Sequence, residues 1–209
     1  VNKAEIDYRL YLVTDRETLK GRDLCQSIEQ AIVGGVTLVQ LREKSVSTRE
    51  FLKLALAVKE ITTRHEIPLI INDRLDIALA IDADGLHIGQ DDLPMPMARK
   101  LFGPDKIIGV SAGTLEESLL AEKQGADYLG VGAMVATPTK PEAKIVTFDE
   151  LKQIKKSVHI PVVAIGGIHE WNAPEAITSG IDGISVVSAI LAQDNIQGAA
   201  HQLRKIISK

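Results

Sequence analysis

Short apolar runs recur along the chain, separated by stretches in which apolar residues return every three or four positions. Eight runs stand out, at 9–15, 37–43, 68–73, 85–90, 107–113, 128–134, 161–167 and 183–190. Most are nearly continuous in Val, Ile and Leu, the pattern of parallel strands covered on both faces. The segments between them predict helices. Phe51, Leu54, Val58 and Ile61 fall on one helical face, and Ser47 with Glu50 reads as a capping box ahead of them. Thr114 with Glu117 and Thr147 with Glu150 repeat that start signal. Asn172 reads as the N-cap of the helix after the seventh run, and Gly34, Gly125 and Gly180 sit where glycines end helices. Trp171 reads as a packing residue before a helix, and Cys25 as a small hydrophobe on a helix's apolar face.

Strand–helix alternation on this scale admits a closed barrel or an open doubly wound sheet. An open sheet concentrates polar residues at one switch point. Here nearly every run ends in polar or glycine-rich chemistry, from Asp15, Asn72 and Asp73 to Gln90, Ser111, Gly166 and Ser188. A barrel collects such residues around one mouth. The predicted fold is therefore α/β, a (β/α)8 TIM barrel forming a single domain over residues 1–209.

Composition narrows the function classes. A net charge of −4 argues against a nucleic-acid partner, and no Lys/Arg run points to a membrane. No apolar stretch approaches the roughly 18 residues that span a bilayer, and the first ten residues hold no signal-peptide core. The single cysteine excludes an internal disulfide. The expectation is a cytoplasmic protein that acts on small molecules, with homo-oligomerisation left open.

The second run carries the most chemistry. Side chains alternate along a strand, so Val39 and Leu41 share a face suited to packing on helices. Gln40, Arg42 and Lys44 share the other, which in a barrel faces the axis and its open end. Two cations there call for an anion, unless the strand end simply lies in solvent. Asp73 ends the third run, and Asp91 and Asp92 follow the fourth. Adjacent strands are about 4.8 Å apart, so Asp73 and one of the pair are placed to share a hard cation such as Mg²⁺ bridging to a phosphate. A turn or N-cap role before Pro94, or a carboxylate pair without metal, are the alternatives. Gly166 and Gly167 after the seventh run, with Val187 and Ser188 in the eighth, resemble a phosphate cup, although paired glycines also make ordinary tight turns. Thr137, Pro138, Thr139 and Lys140 follow the sixth run, as a lid suited to an anion or as a stiffened surface loop. His87 lies inside the fourth run and reads as a satisfied core residue, and the remaining histidines show no metal-ligand spacing.

Taken in order, the segments Leu-Tyr-Leu-Val-Thr-Asp ending at Asp15, Gln-Leu-Arg-Glu-Lys ending at Lys44, Ile-Asn-Asp ending at Asp73, Gly-Leu-His-Ile-Gly-Gln-Asp-Asp ending at Asp92, Gly-Val-Ser ending at Ser111, Thr-Pro-Thr-Lys ending at Lys140 and Ala-Ile-Gly-Gly-Ile ending at Ile168 resemble the thiamine-phosphate synthase family. The resemblance extends over nearly the whole chain. It implies a (β/α)8 barrel, one Mg²⁺ held by Asp73 and Asp92, and a transferase reaction. In that reaction 4-amino-5-hydroxymethyl-2-methylpyrimidine diphosphate and 4-methyl-5-(2-phosphooxyethyl)thiazole give thiamine phosphate and diphosphate. By the same resemblance Gln40, Leu41, Arg42, Glu43, Lys44 and Asn72 hold the pyrimidine diphosphate. Ser111 and Lys140 contact that substrate and its leaving group, and Thr137, Pro138, Thr139, Gly167, Val187 and Ser188 hold the thiazole phosphate. Arg42, Lys44, Ser111 and Lys140 form the implied catalytic set of a dissociative mechanism.

The chain departs from the family's usual pattern at Ala133, Val135 and Ala136, where Pro, an aromatic residue and Pro are expected, and at Gly113, where many relatives carry His. A looser loop before Thr137 is the expected consequence. Two rival readings stand beside this one. A related thiazole tautomerase needs an acid–base residue where Gly113 stands and has no use for the diphosphate machinery. A non-catalytic thiazole-phosphate sensor would bind without turnover.

Overall fold

The computed structural model describes residues 2–135 and 144–208. Strands β1 (Leu10–Val13), β2 (Leu38–Leu41), β3 (Leu69–Asn72), β4 (Gly85–Ile88), β5 (Ile107–Ala112), β6 (Tyr128–Val131), β7 (Val162–Ile165) and β8 (Gly183–Val186) form a closed parallel barrel in sequence order. Closure is direct, because β8 pairs with β1 with Ser185 beside Tyr11. The connecting helices are α1 (Leu24–Val33), α2 (Thr48–Arg64), α3 (Leu75–Ala80), α4 (Met95–Phe102), α5 (Leu115–Lys123), α6 (Phe148–Ser157) and α7 (Ala173–Thr178). After β8 come the short α8 (Ser188–Leu191) and then α9 (Ile196–Ile207). All eight predicted strands are present. The last was drawn too long, because its final residues, Ser188 onward, turn into α8. No helix among the described residues is long and apolar enough to cross a membrane.

Alternation divides the core into two layers. Outward side chains such as Leu12, Val39, Leu41, Ile71, Leu86, Val131 and Ala164 pack beneath the helices. Inward ones, Tyr11, Leu38, Ile70, Ile107, Tyr128 and Val163, fill the axis together with Tyr8. Aromatic bulk on the axis requires glycine opposite it. A Cβ on Gly109 would lie 2.0 Å from Cζ of Tyr128, and one on Gly130 would lie 3.2 Å from Cε1 of His87.

The floor of the barrel is built from a unit that recurs at alternate strands. Before β2, β4, β6 and β8 come a residue of positive φ (Gly35, Asp82, Gly125 or Gly180), a buried apolar residue (Val36, Ala83, Ala126 or Ile181) and a side-chain acceptor (Thr37, Asp84, Asp127 or Asp182). Each acceptor takes the backbone N–H of the preceding strand: Leu10 to Thr37 at 3.1 Å, Leu69 to Asp84 at 2.8 Å, Ile108 to Asp127 at 2.7 Å and Val162 to Asp182 at 2.7 Å. Each aspartate also binds a cation from the helix that leads into the preceding strand, Lys59 of α2, Arg99 of α4 or Lys155 of α6. The carboxylates thus satisfy strand N–H groups that would otherwise be left unpaired, and they are themselves charge-paired.

Local signals hold with corrections. Thr147 and Glu150 form a full reciprocal capping box. Ser47 and Thr114 cap their helices, but Glu50 turns to Arg16 and the Glu117 carboxylate accepts from the Gly113 N–H, so neither pair is a box. The left-handed residue after α1 is Gly35 rather than Gly34. Trp171 is 73% exposed and stacks on His169, so it is not a packing residue. Cys25 packs against the core as expected, and burial raises its thiol pKa.

Replacing Asp127 with Ala removes the acceptor for the Ile108 N–H and the partner of Arg99 and Lys3. The expected loss is about 2–4 kcal/mol of unfolding free energy, read from the denaturation midpoint at unchanged m.

Candidate active site

The carboxyl ends of the strands bring together most of the predicted residues that lie in the described part of the chain. Gln40 points inward, is almost fully buried, and donates from Nε2 to the Tyr11 hydroxyl at 2.7 Å. Arg42 lies half-buried past the end of β2, with Nη1 3.1 Å from Oδ2 of Asp15. Its backbone N–H donates to Thr14 Oγ1 at 2.9 Å, which anchors the strand end. Lys44 forms a close ion pair with Asp73. The anions that the sequence demanded for these cations are thus supplied by the protein itself, through Asp15 and Asp73.

Two members of the segment face elsewhere. The Leu41 side chain is wholly buried in the outer core layer, so only its backbone is available to a ligand. The Glu43 side chain is only 4% exposed and is held by Arg16 at 3.3 Å. Period-two alternation accounts for both, since 41 and 43 lie opposite 40 and 42.

The carboxylate pair forms where β3 and β4 end. Asn72 is buried at the end of β3, opposite His87 in the register. Asp73, the next residue, sits in the left-handed region at φ 60°, a conformation rare outside glycine. Its N–H donates to the His87 carbonyl at 2.8 Å, which keeps the chain in contact with β4 as it turns. The Asp73 carboxylate then meets that of Asp92. Asp92 closes the turn after β4 by accepting from the Gly89 N–H at 2.7 Å. Pro94, not either aspartate, is the N-cap of α4. Burial raises the Asp92 pKa, and the adjacent Asp73 raises it further, against the opposing pull of the Gly89 N–H and Lys44. Two carboxylates near enough for one to raise the other's pKa, beside one ammonium, suit a hard dication, and Mg²⁺ commonly takes one or two protein carboxylates with the rest from phosphate and water. No cluster of three or more His, Cys, Asp or Glu groups fit for a metal occurs among the described residues.

Ser111 ends the inward face of β5, with Oγ 2.9 Å from Nε2 of His87. Nδ1 of that histidine lies 2.9 Å from the Tyr128 hydroxyl. His87 is therefore engaged on both ring nitrogens, as a satisfied interior residue should be. Tyr11 and Tyr128 were missed by the sequence reading. Their inward position in alternating strands was the available signal, since a buried phenol needs a partner.

On the far side, Gly166 and Gly167 take φ of 89° and 72°. A Cβ on Gly166 would lie 2.7 Å from that of Ala133, and one on Gly167 would lie 2.6 Å from that of Val135. The close approach these glycines permit is thus made by the segment after β6. That segment is tied down by Met134 N–H to the Ile165 carbonyl at 3.1 Å and Val135 N–H to the Gly166 carbonyl at 3.0 Å. Met134 and Val135, in the stretch where a looser loop was expected, are thus bonded to the end of β7 and its glycine turn. Asn172 occupies the N-cap position of α7, as expected, but its side chain makes no capping bond to the helix. Its side chain braces the glycine turn, accepting from the His169 N–H at 2.7 Å and donating to the Gly167 carbonyl at 2.9 Å. Val187 and Ser188 lie beside this turn in sequence order around the barrel, at the start of α8. Thr137, Pro138, Thr139 and Lys140, with Ala136, lie outside the described residues.

Residues 10–190 match the family model described as thiamine monophosphate synthase. The chain belongs to that family. A curated thiamine-phosphate synthase of Clostridium acetobutylicum is 60% identical over 204 residues, covering 98% of this chain and 97% of the relative. One from Alkaliphilus oremlandii is 55% identical, with 97% of each covered. Among solved structures, a thiamine phosphate pyrophosphorylase from Pyrococcus furiosus superposes with a TM-score of 0.91 at 39% identity, covering 97% of this chain and 96% of that one.

Two substitutions separate backbone strain from contact at the glycine turn. Gly180→Ala incurs only the left-handed conformation, about 1–2 kcal/mol, because open space surrounds that position. Gly167→Ala adds the clash with Val135, and its loss of stability by chemical denaturation is expected to exceed that of Gly180→Ala by about 1–3 kcal/mol.

Proposed function

We propose that the barrel mouth joins the diphosphate of 4-amino-5-hydroxymethyl-2-methylpyrimidine to 4-methyl-5-(2-phosphooxyethyl)thiazole, releasing diphosphate and forming thiamine phosphate. The activity is that of a thiamine-phosphate synthase, a transferase, and relatives of that name at 52–60% identity over nearly the full chain support it. The single observation that carries the reading is the meeting of Lys44, Asp73 and Asp92 at one side of the mouth. That is a place for a metal-bound diphosphate, with a glycine turn and the start of α8 left for a second anion.

In this reading Asp73 and Asp92 hold Mg²⁺, which when bound would neutralise charge on the departing diphosphate. Arg42 and Lys44 bind the diphosphate oxygens, exchanging carboxylate partners for the substrate. Gln40, Asn72 and Ser111 orient the pyrimidine, and the backbones of Leu41 and Glu43 border it. Gly167, Val187 and Ser188 hold the thiazole phosphate together with Thr137, Pro138 and Thr139, and Lys140 contacts the departing diphosphate.

Departure of diphosphate leaves a cation on the pyrimidine methylene, spread by the ring's amino group. The thiazole nitrogen then attacks with its own lone pair. No protein nucleophile and no strong base are required. The chain's work is charge stabilisation and alignment, which agrees with a mouth of cations, carboxylates and hydroxyls. Substrates bearing several phosphate charges do not cross membranes unaided. A cytoplasmic site of action, in a single catalytic domain, completes the reading. The tautomerase alternative leaves the Lys44–Asp73–Asp92 cluster without a task.

Purified protein with both substrates and Mg²⁺ is expected to form thiamine phosphate, and binding without turnover would favour a sensor. Asp92→Ala should reduce Mg²⁺-dependent turnover by about 10²-fold or more with an unchanged circular dichroism spectrum. Arg42→Ala should raise KM for the pyrimidine diphosphate by about tenfold or more and leave KM for the thiazole phosphate within about twofold. Equal losses for both substrates would overturn this division of the mouth.

A further inference from the structure

Five side chains from five strands form one unbroken hydrogen-bonded line through the barrel interior. Gln40 Nε2 donates to the Tyr11 hydroxyl at 2.7 Å, and the Tyr11 and Tyr128 hydroxyls are 2.7 Å apart. Tyr128 is 2.9 Å from Nδ1 of His87, whose Nε2 is 2.9 Å from Ser111 Oγ. Both phenols are essentially inaccessible to water, at 1% and 0% exposure. Gly109 and Gly130, lacking Cβ atoms, make the room that Tyr128 and His87 occupy. Apolar side chains would fill the same volume without needing partners, so the line serves more than packing.

Proton counting gives the line a direction. A hydroxyl has one proton to donate. Tyr11 accepts from Gln40, and its buried proton is satisfied only by donation to its other partner, Tyr128. Tyr128, having accepted, donates to Nδ1 of His87. That nitrogen must then carry a lone pair, which puts the ring proton on Nε2, directed at Ser111. Ser111 accepts it and keeps its own proton for a partner in the mouth.

We infer that Tyr11, Tyr128 and His87 are positioning residues that fix the hydrogen-bond polarity of the mouth, presenting Gln40 Oε1 as an acceptor and the Ser111 hydroxyl as a donor to the pyrimidine substrate. Turning the Gln40 amide round would reverse every link and exchange the two roles. The effect on the substrate rests on the proposed function of Gln40 and Ser111. The polarity itself does not.

The two are therefore tested separately. Long-range ¹H–¹⁵N spectra of the full, ligand-free chain at neutral pH report the tautomer of His87. A neutral ring protonated on Nε2 is expected, and a proton on Nδ1 overturns the assigned polarity. Glutamate cannot donate, so in Gln40→Glu the line should run backwards and Nδ1 should become protonated. An unchanged tautomer would show that Gln40 does not set the direction. Kinetics then test the use made of it. Tyr128→Phe keeps the ring and deletes one link, and is expected to raise KM for the pyrimidine diphosphate about five- to tenfold while KM for the thiazole phosphate stays within about twofold. Tyr11→Phe breaks the neighbouring link and should give the same split even if Tyr128→Phe folds poorly. Wild-type KM values in a folded variant, or equal losses for both substrates, would remove the positioning role and leave the tautomer result standing.

Discussion

A closed parallel barrel has to fill its own axis with the inward half of every strand, and the rest of this molecule follows from how that is done. Here the axis takes three tyrosines, Tyr8, Tyr11 and Tyr128, among aliphatic residues. Phenols bring bulk but also hydroxyls that must be satisfied away from water. Burial raises the pKa values of Tyr11 and Tyr128, so both remain neutral donors and acceptors. Their hydroxyls meet each other and then Gln40 and His87. The packed interior is thereby connected to the residues that face the mouth.

Electrostatics at the two ends of the barrel follow different rules. At the floor, Asp84, Asp127 and Asp182 accept strand N–H groups and helix cations, so each charge is consumed by the fold. At the mouth, Arg42 is paired with Asp15 and Lys44 with Asp73, and the Asp73 carboxylate lies against that of Asp92. Two carboxylates beside a single ammonium leave a local excess of negative charge that a dication would balance. The mouth pairs keep the cations in place near solvent, each against one carboxylate partner.

The far side of the mouth rests on shape more than charge. Gly166 and Gly167 adopt positive φ and lie against Ala133 and Val135, so the turn after β7 and the segment after β6 form one packed unit. Asn172 locks the turn by bonding across it. Arg22 adds a brace from the β1 side, donating to the carbonyls of Leu19, Leu191 and Gln193 around the end of α8.

Strand number, barrel closure and the inward placement of Gln40 and Arg42 were legible in the sequence, because strand periodicity is local and each apolar run reports its own burial. The family was legible as well, since its motifs are contiguous. What the sequence could not supply were the partners. Glu50 as capping partner and Trp171 as core residue were reasonable local readings, yet the first was overridden by a contact distant in sequence and the second by exposure. The approach of Asp73 to Asp92 was the one such pairing the sequence anticipated, whereas the pairing of Arg42 with Asp15 and the line from Gln40 to Ser111 join residues of different strands or their ends. The sequence by itself determined which side chains face the axis. Only barrel closure, which brings β1, β2, β4, β5 and β6 around one interior, decided which of them touch.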